Sequence, residues 1–351
     1  MKSIFSISLV FSCVIGIHAQ SGRQKPSPTP TPNSIMGPSV RNLPPIVLVP
    51  VATTPTPKAE SDEVIKVSSV LVPIPVTVTE GDGRPVASLR LENFELKIDG
   101  KKAEIAEMSR ASTPIRMGML FDNSSSVIIA REFEKQAAVR FFRRVIRPDR
   151  DMAALFSVAD FTRLEQPFTS NVLLLTGAIE LFPAPKGATA LLDGIIEVAE
   201  YLKSANGRRV VVIISDGEDT YSDLKTTLED VVRKLLATDC QVYVVNTKSF
   251  ENYKRTGLRH GNANTRALTA ERRMIEITQQ TGGAVYSPID DDEMGAAFTQ
   301  IASELSQQYV LSYYPEDDTE KRGEFRSIEL SVKDKKDLSI RARKGYYVPK
   351  R

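Results

Sequence analysis

The stretch MGMLFDNSSSV, Met117 to Val127, is an apolar run that ends abruptly in one aspartate, one asparagine and three serines. Oxygen donors at that density suit a hard cation. Two further polar groups sit in comparable settings: Thr189 in GATALLD, opening a predicted helix, and Asp216 in VVVIISDGEDT, ending a strongly apolar run. Together Asp122, Ser124, Ser126, Thr189 and Asp216 offer two carboxylates and three hydroxyls. Such a set fits Mg²⁺, with Mn²⁺ or Ca²⁺ as alternatives, and suits zinc poorly because zinc prefers nitrogen and sulfur. The competing explanation is helix capping, in which Ser and Asp at a strand end satisfy the first N–H groups of the next helix. Asp219 and Thr220 fit that simpler role.

These residues are useful only if strands and turns bring them together. From Pro114 onward apolar strands alternate with helical segments. RMGMLFD leads to a predicted helix over 126–144 with Ile129, Phe133, Ala137 and Phe141 on one face, then to the strand MAALFSVAD. A helix through ALLDGIIEVAEYL, the strand RVVVIISD, a helix through LEDVVRKLLA and the strand CQVYVVN follow. The series closes with a helix through AERRMIEITQQ, a short strand GAVYS and a helix over 291–308, whose acidic start around Asp290 suits the N-terminal dipole. Alternation with near-continuous apolar strands predicts an α/β fold with a doubly wound, mainly parallel sheet covered on both faces. Ligand sites of open parallel sheets lie at the carboxyl ends of the strands, where Asp122 and Asp216 fall.

On either side the pattern is β only. VSSVLVPIPVTVTEGDGRPV and NFELKIDGKKAEI precede the α/β segment, and QYVLSYYP, FRSIELSVK and LSIRARKGYYV follow it. Each is too short to make a core alone, so residues 63–113 and 309–351 are expected to complete one small β-sandwich into which the α/β domain, 114–308, is inserted.

The motif DNSSS with Thr189 and Asp216 resembles the metal-ion-dependent adhesion site, D-x-S-x-S then T then D, of von Willebrand factor type A domains. The resemblance implies that Ser124, Ser126 and Thr189 act as hydroxyl ligands, direct or through water, while Asp122 and Asp216 hold the ion directly or through waters. It further implies an open coordination position filled by an Asp or Glu carboxylate of a protein partner. The usual glycine between the serines is Ser125 here, at a position the motif leaves free. The flanking β segments are similar to those of secreted acidobacterial proteins related to this family, so the likeness covers nearly all of 63–351.

Enzyme readings fare poorly. A strand ending in aspartate also resembles haloacid-dehalogenase-like phosphatases, but their second acid is Ser124 here, which removes the general acid. No G-x-S-x-G or G-x-x-x-x-G-K-[ST] is present, and beyond the N-terminal segment the only histidine is His260, in a polar loop. The expected function is a non-enzymatic, metal-dependent protein-binding module. The alternative is a metal-free structural or assembly protein of the cell envelope.

Composition sets outer limits. With 46 basic and 44 acidic residues in 351, no net field favours nucleic acid or an anionic membrane. MKSIFSISLVFSCVIGIHAQ reads as a secretory signal peptide, 1–19, with cleavage expected after Ala19 and no membrane-spanning helix thereafter. An uncleaved anchor is the alternative; a lipoprotein reading through Cys13 fits badly. Without the signal, Cys240 is the only cysteine, so no intramolecular disulfide is available. Residues 20–62 form a Pro-rich spacer, with 10 of the 21 prolines in 20–58. Finally, Lys248 to Arg273 holds seven basic residues against Glu251 and Glu271 and reads as a long basic loop, either a solvated variable connection, the simpler reading, or one able to steer an acidic partner.

Overall fold

In the computed structural model the described residues are 71–110, 113–259, 264–315, 322–333 and 337–348. The signal peptide, the Pro-rich spacer and His260 lie outside them. Among the described residues four strands come first, β1 (Val72–Thr79), β2 (Phe94–Ile98), β3 (Lys101–Ala103) and β4 (Glu107–Arg110). The α/β segment then runs β5 (Ile115–Asp122), α1 (Arg131–Val145), β6 (Met152–Val158), β7 (Thr162–Thr169), α2 (Val172–Glu180), α3 (Leu191–Leu202) and β8 (Arg208–Ser215). It continues through α4 (Leu228–Ala237), β9 (Cys240–Asn246), α5 (Lys248–Thr256), α6 (Thr265–Thr281), β10 (Ala284–Tyr286) and α7 (Asp291–Gln307). The last four strands among the described residues are β11 (Tyr309–Tyr313), β12 (Phe325–Val332), β13 (Ser339–Ala342) and β14 (Gly345–Tyr347).

The central sheet has the order β10-β9-β8-β5-β6-β7, parallel throughout except for β7, which pairs antiparallel with β6. Residue parity divides its core. Met117, Met119 and Phe121 of β5 pack with Val212 of β8 against Phe141 of α1, Ile179 of α2 and Ile301 of α7. Leu120 of β5 and Val211 and Ile213 of β8 face Ile195 of α3, Leu235 of α4 and Met274 of α6. This is the doubly wound arrangement expected from the apolar strands. Gly118 permits α3 to lie close, since a Cβ there would meet Val198 Cγ1 at 2.5 Å.

Two antiparallel sheets, β13-β1-β11-β4 and β14-β12-β2-β3, flank this unit and share one hydrophobic cluster, with Phe94 and Tyr309 in edge contact at 5.4 Å. A buried polar knot joins them to the central sheet. Gln308 donates to Thr77 Oγ1 at 3.0 Å and to Gln241 Oε1 at 2.9 Å, and accepts from Arg208 at 2.9 Å.

Three sequence expectations need correction. Neither β7 nor α2 is foreseen: β7 is a half-exposed edge strand containing Pro167, and α2 leaves Leu173 and Leu174 exposed, which blurs its helical period. The buried face of α1 carries Ala137 and Phe141 as expected, but it is completed by Glu134 and Ala138, while Ile129 precedes the helix and is exposed. The basic stretch 248–273 is largely helix, occupied by α5 and the start of α6, where a loop was expected. Its charges are substantially paired, with Lys254 on Asp291 and Arg259 on Asp290 and Glu293.

Candidate metal centre

Asp122 ends β5 between β6 and β8, and its neighbours leave the carboxyl no exposure. Oδ1 accepts the Ser124 N–H at 2.9 Å and Oδ2 accepts the Ser215 hydroxyl at 2.7 Å. The extended backbone at Ser124 leads into a 3-10 turn, Ser125–Val127, that carries Ser126 back. The Ser124 and Ser126 hydroxyls meet at 2.9 Å. Three of the five expected site residues therefore form one hydrogen-bonded group at the strand end.

Asp216 follows β8 and is almost wholly buried. Its Oδ1 accepts the Glu218 N–H at 3.0 Å, and Gly217 makes the intervening turn with a φ of +79°, a conformation glycine adopts without strain. Thr189 precedes α3 and is held by its backbone. Its N–H donates to Thr220 Oγ1 at 3.0 Å, and its carbonyl accepts from the N–H groups of Thr220 and Tyr221 at 2.8 and 2.9 Å. Those bonds fasten Thr189 to the loop after Asp216, so all five residues belong to one edge of the sheet. Asp219 does have a capping role, accepting the Leu192 N–H of α3 at 3.3 Å, and Thr220 serves only as the partner of Thr189.

The electrostatics are those of a carboxylate short of cations. Burial pushes the Asp122 carboxyl up to about 6; the Ser124 and Ser215 hydrogen bonds oppose that rise and the nearby Asp216 charge adds to it. Close by lie two further acids that sequence reasoning missed. Glu134 is fully buried, lacks a hydrogen bond of ordinary geometry to either oxygen, and is raised to about 8 by burial. Glu251 is raised to about 9, again first by burial and then by the Asp216 and Glu134 charges.

Three other neighbours were also missed. Arg131 is buried with its guanidinium 4.8 Å from the Phe182 ring centroid, donating to the Asp122 carbonyl at 3.1 Å and to Asn123 Oδ1. Ser215 is the hydroxyl that holds Asp122. Lys248 sets its ammonium 3.3 Å from Asp216 Oδ2 and 2.9 Å from Glu218 Oε1. A signal for Glu134 was available in the sequence, since it falls four residues from both Ala130 and Ala138 on one helical face. The Lys248 contact depends on α5 returning over the strand ends, which no local pattern states.

The donor set fits a hard divalent cation. It holds two buried carboxylates and neutral hydroxyls, with a buried acid whose charge is under-compensated. Among the described residues no three His, Cys, Asp or Glu side chains converge on a metal position, so an ion here would depend on the hydroxyls as well. Also among the described residues, no helix is long and apolar enough to cross a membrane.

No protein-family model matches the chain, and no curated protein matches it. Solved structures do. The chain is similar to a variant of the PilB minor pilin from Streptococcus sanguinis, at 11% identity over 56% of this chain and 62% of that one, TM-score 0.43. It is similar to the SpRpn10 VWA domain, at 16% identity over 55% and 96%, TM-score 0.39. A third is proximal thread matrix protein 1 of the mussel byssus, described with a zinc-occupied MIDAS motif, at 16% identity over 60% and 50%, TM-score 0.43. The chain thus spans less than two thirds of the pilin and half of the mussel protein. At these identities and TM-scores the matches carry no argument about role; the doubly wound sheet is seen in the chain's own structure and is the fold that the von Willebrand factor type A resemblance implies.

Proposed function

We propose that this chain is a non-enzymatic protein-binding module that holds a divalent cation at the carboxyl end of the central sheet and uses it to capture a carboxylate of a protein partner. The observation that carries this reading is the convergence of the Asp122 carboxyl with the Ser124 and Ser126 hydroxyls, with Asp216 alongside. Asp122, Ser124, Ser126, Thr189 and Asp216 would hold the ion, Mg²⁺ first by donor chemistry. A bound ion ringed by neutral hydroxyls remains electron-poor and attracts an incoming Asp or Glu side chain. Ser215 and Arg131 orient the Asp122 segment, and Lys248 offsets the Asp216 charge. Secretion through the N-terminal signal, with the α/β domain carried on a β-sandwich beyond a Pro-rich spacer, completes the proposal.

One observation favours a second reading. The Lys248 ammonium already sits against Asp216, a place where a cation would act, which suits a metal-free envelope protein. Thermal unfolding separates the two. The wild type is expected to melt higher in millimolar Mg²⁺, Mn²⁺ or Ca²⁺ than in EDTA, and Asp122→Ala is expected to lose that difference. Coincident curves in all conditions would leave the metal-free reading standing.

A further inference from the structure

A cavity of about 450 Å³ opens beside the Ser126 hydroxyl. One wall carries Ile128 and Ile129, which are 58% and 44% exposed although both are aliphatic. Helix α5 contributes Lys248, Glu251, Asn252 and Arg255 to the rest of the lining. Lys248 is engaged by Asp216 and Glu218. Arg255 is different: it donates to Asn252 Oδ1 at 2.7 Å and forms no ion pair among the described residues. The groove therefore brings together a site hydroxyl, an apolar wall, the Glu251 carboxyl and an Arg255 guanidinium that is in no ion pair among the described residues.

We infer that this groove reads the partner's sequence next to the captured carboxylate. It takes an extended acidic segment in which an apolar side chain covers Ile128 and Ile129 and a second acid meets Arg255. Lys248 and Arg255 are seven residues apart, about 10 Å along a helix axis, a distance an extended chain covers in about three residues. The recognised pattern is then an acid, an apolar residue one or two positions on, and a second acid about three positions on. Charge complementarity selects this occupant, since the α5 lining sets two cations, Lys248 and Arg255, against the one acid Glu251, and the site attracts anions once it holds the divalent cation. The inference rests on the metal-dependent capture proposed above and adds its specificity.

The test uses three fluorescently labelled synthetic peptides, measured by anisotropy with the whole chain in Mg²⁺. Their sequences are Gly-Ser-Asp-Gly-Gly-Gly-Ser, Gly-Ser-Asp-Leu-Gly-Gly-Ser and Gly-Ser-Asp-Leu-Gly-Glu-Ser. The leucine is expected to tighten binding about tenfold through apolar burial, and the second acid about threefold more, as befits an exposed ion pair. Ile128→Ser with Ile129→Ser should remove the first step and leave the second; Arg255→Ala should do the reverse. Circular dichroism is expected to be unchanged in both variants because these side chains are exposed. Equal affinity for all three peptides, or no binding of any at millimolar concentration, overturns the inference. Equal affinities that vanish in EDTA and in Asp122→Ala overturn the groove alone and leave metal-dependent capture intact. Binding indifferent to EDTA and to Asp122→Ala overturns both.

Discussion

Two aspartates stand at opposite ends of the central strands, Asp122 at the carboxyl end of β5 and Asp151 just before β6, and neither has any solvent exposure. Burial alone pushes both carboxyls up, yet they end in opposite places. At Asp151 that push is outweighed by hydrogen bonds from the Arg147 side chain and from the N–H groups of Ile115 and Arg147, at 2.6 to 3.1 Å, so the carboxyl is held below its usual range. Asp122 has a hydroxyl, an amide and a like charge as neighbours, and is held near 6. The lesson is that burial does not set the role of an acid; the supply of cations and donors does. One end of the sheet closes its electrostatics internally, whereas the other leaves a deficit that an external cation can fill.

The comparison breaks most visibly at Asp151. Asp151→Ala leaves the Ile115 and Arg147 N–H groups without their acceptor, and is expected to cost about 3–5 kcal/mol. Urea unfolding in EDTA and in Mg²⁺ should show the same loss in both, because this carboxyl has no part in metal binding.

Glu134 tests the opposite end without touching a proposed ligand. Its folded pKa near 8 lies above the ordinary 4.5, so between those values the folded state keeps a proton that the unfolded chain has lost. Stability of the metal-free protein must therefore fall as pH rises through that window. Glu251, raised in the same direction, adds to the slope. Glu134→Gln is expected to be more stable than the wild type at pH 8 by about 3 kcal/mol and nearly equal to it at pH 5. Urea midpoints at the two pH values check this, and a gain identical at both would remove charge as its cause.

Asp122→Ala sharpens the contrast further. At a hundredfold excess of metal over its dissociation constant the wild type should gain about 2.7 kcal/mol, and the variant nothing. The smallest effect belongs to Lys248→Met. Removing an ammonium 3.3 Å from Asp216 should tighten Mg²⁺ binding about tenfold in titration calorimetry, since a like charge no longer opposes the ion. Weaker binding would instead make Lys248 a residue that positions Asp216.

Much of this was legible in the sequence because its signals are local. Apolar strands without alternation require a sheet covered on both faces, and the residues ending those strands must share one edge. Asp122, Ser124 and Ser126 are near neighbours in the chain, so one turn suffices to join them. Failures occurred where burial and sequence pattern part company. β7 is an edge strand with a proline, α2 exposes its leucines, and Lys248 to Arg273 reads as a polar loop because its charges are sequence features while their partners are not.

The sequence alone specified the strand and helix alternation, the aspartates that end the β5 and β8 runs with the serines beside the first, and the β character of the flanks. It did so because periodicity and turn chemistry act over a few residues. Tertiary packing is what sets Ser215 against Asp122, brings the Glu134 and Glu251 acids close to the site, places Lys248 on Asp216, and puts Ile128, Ile129, Glu251 and Arg255 in one groove. Those relations join segments far apart in the chain, and their energies arise from desolvation and charge proximity that exist only once the sheet has brought the strand ends together.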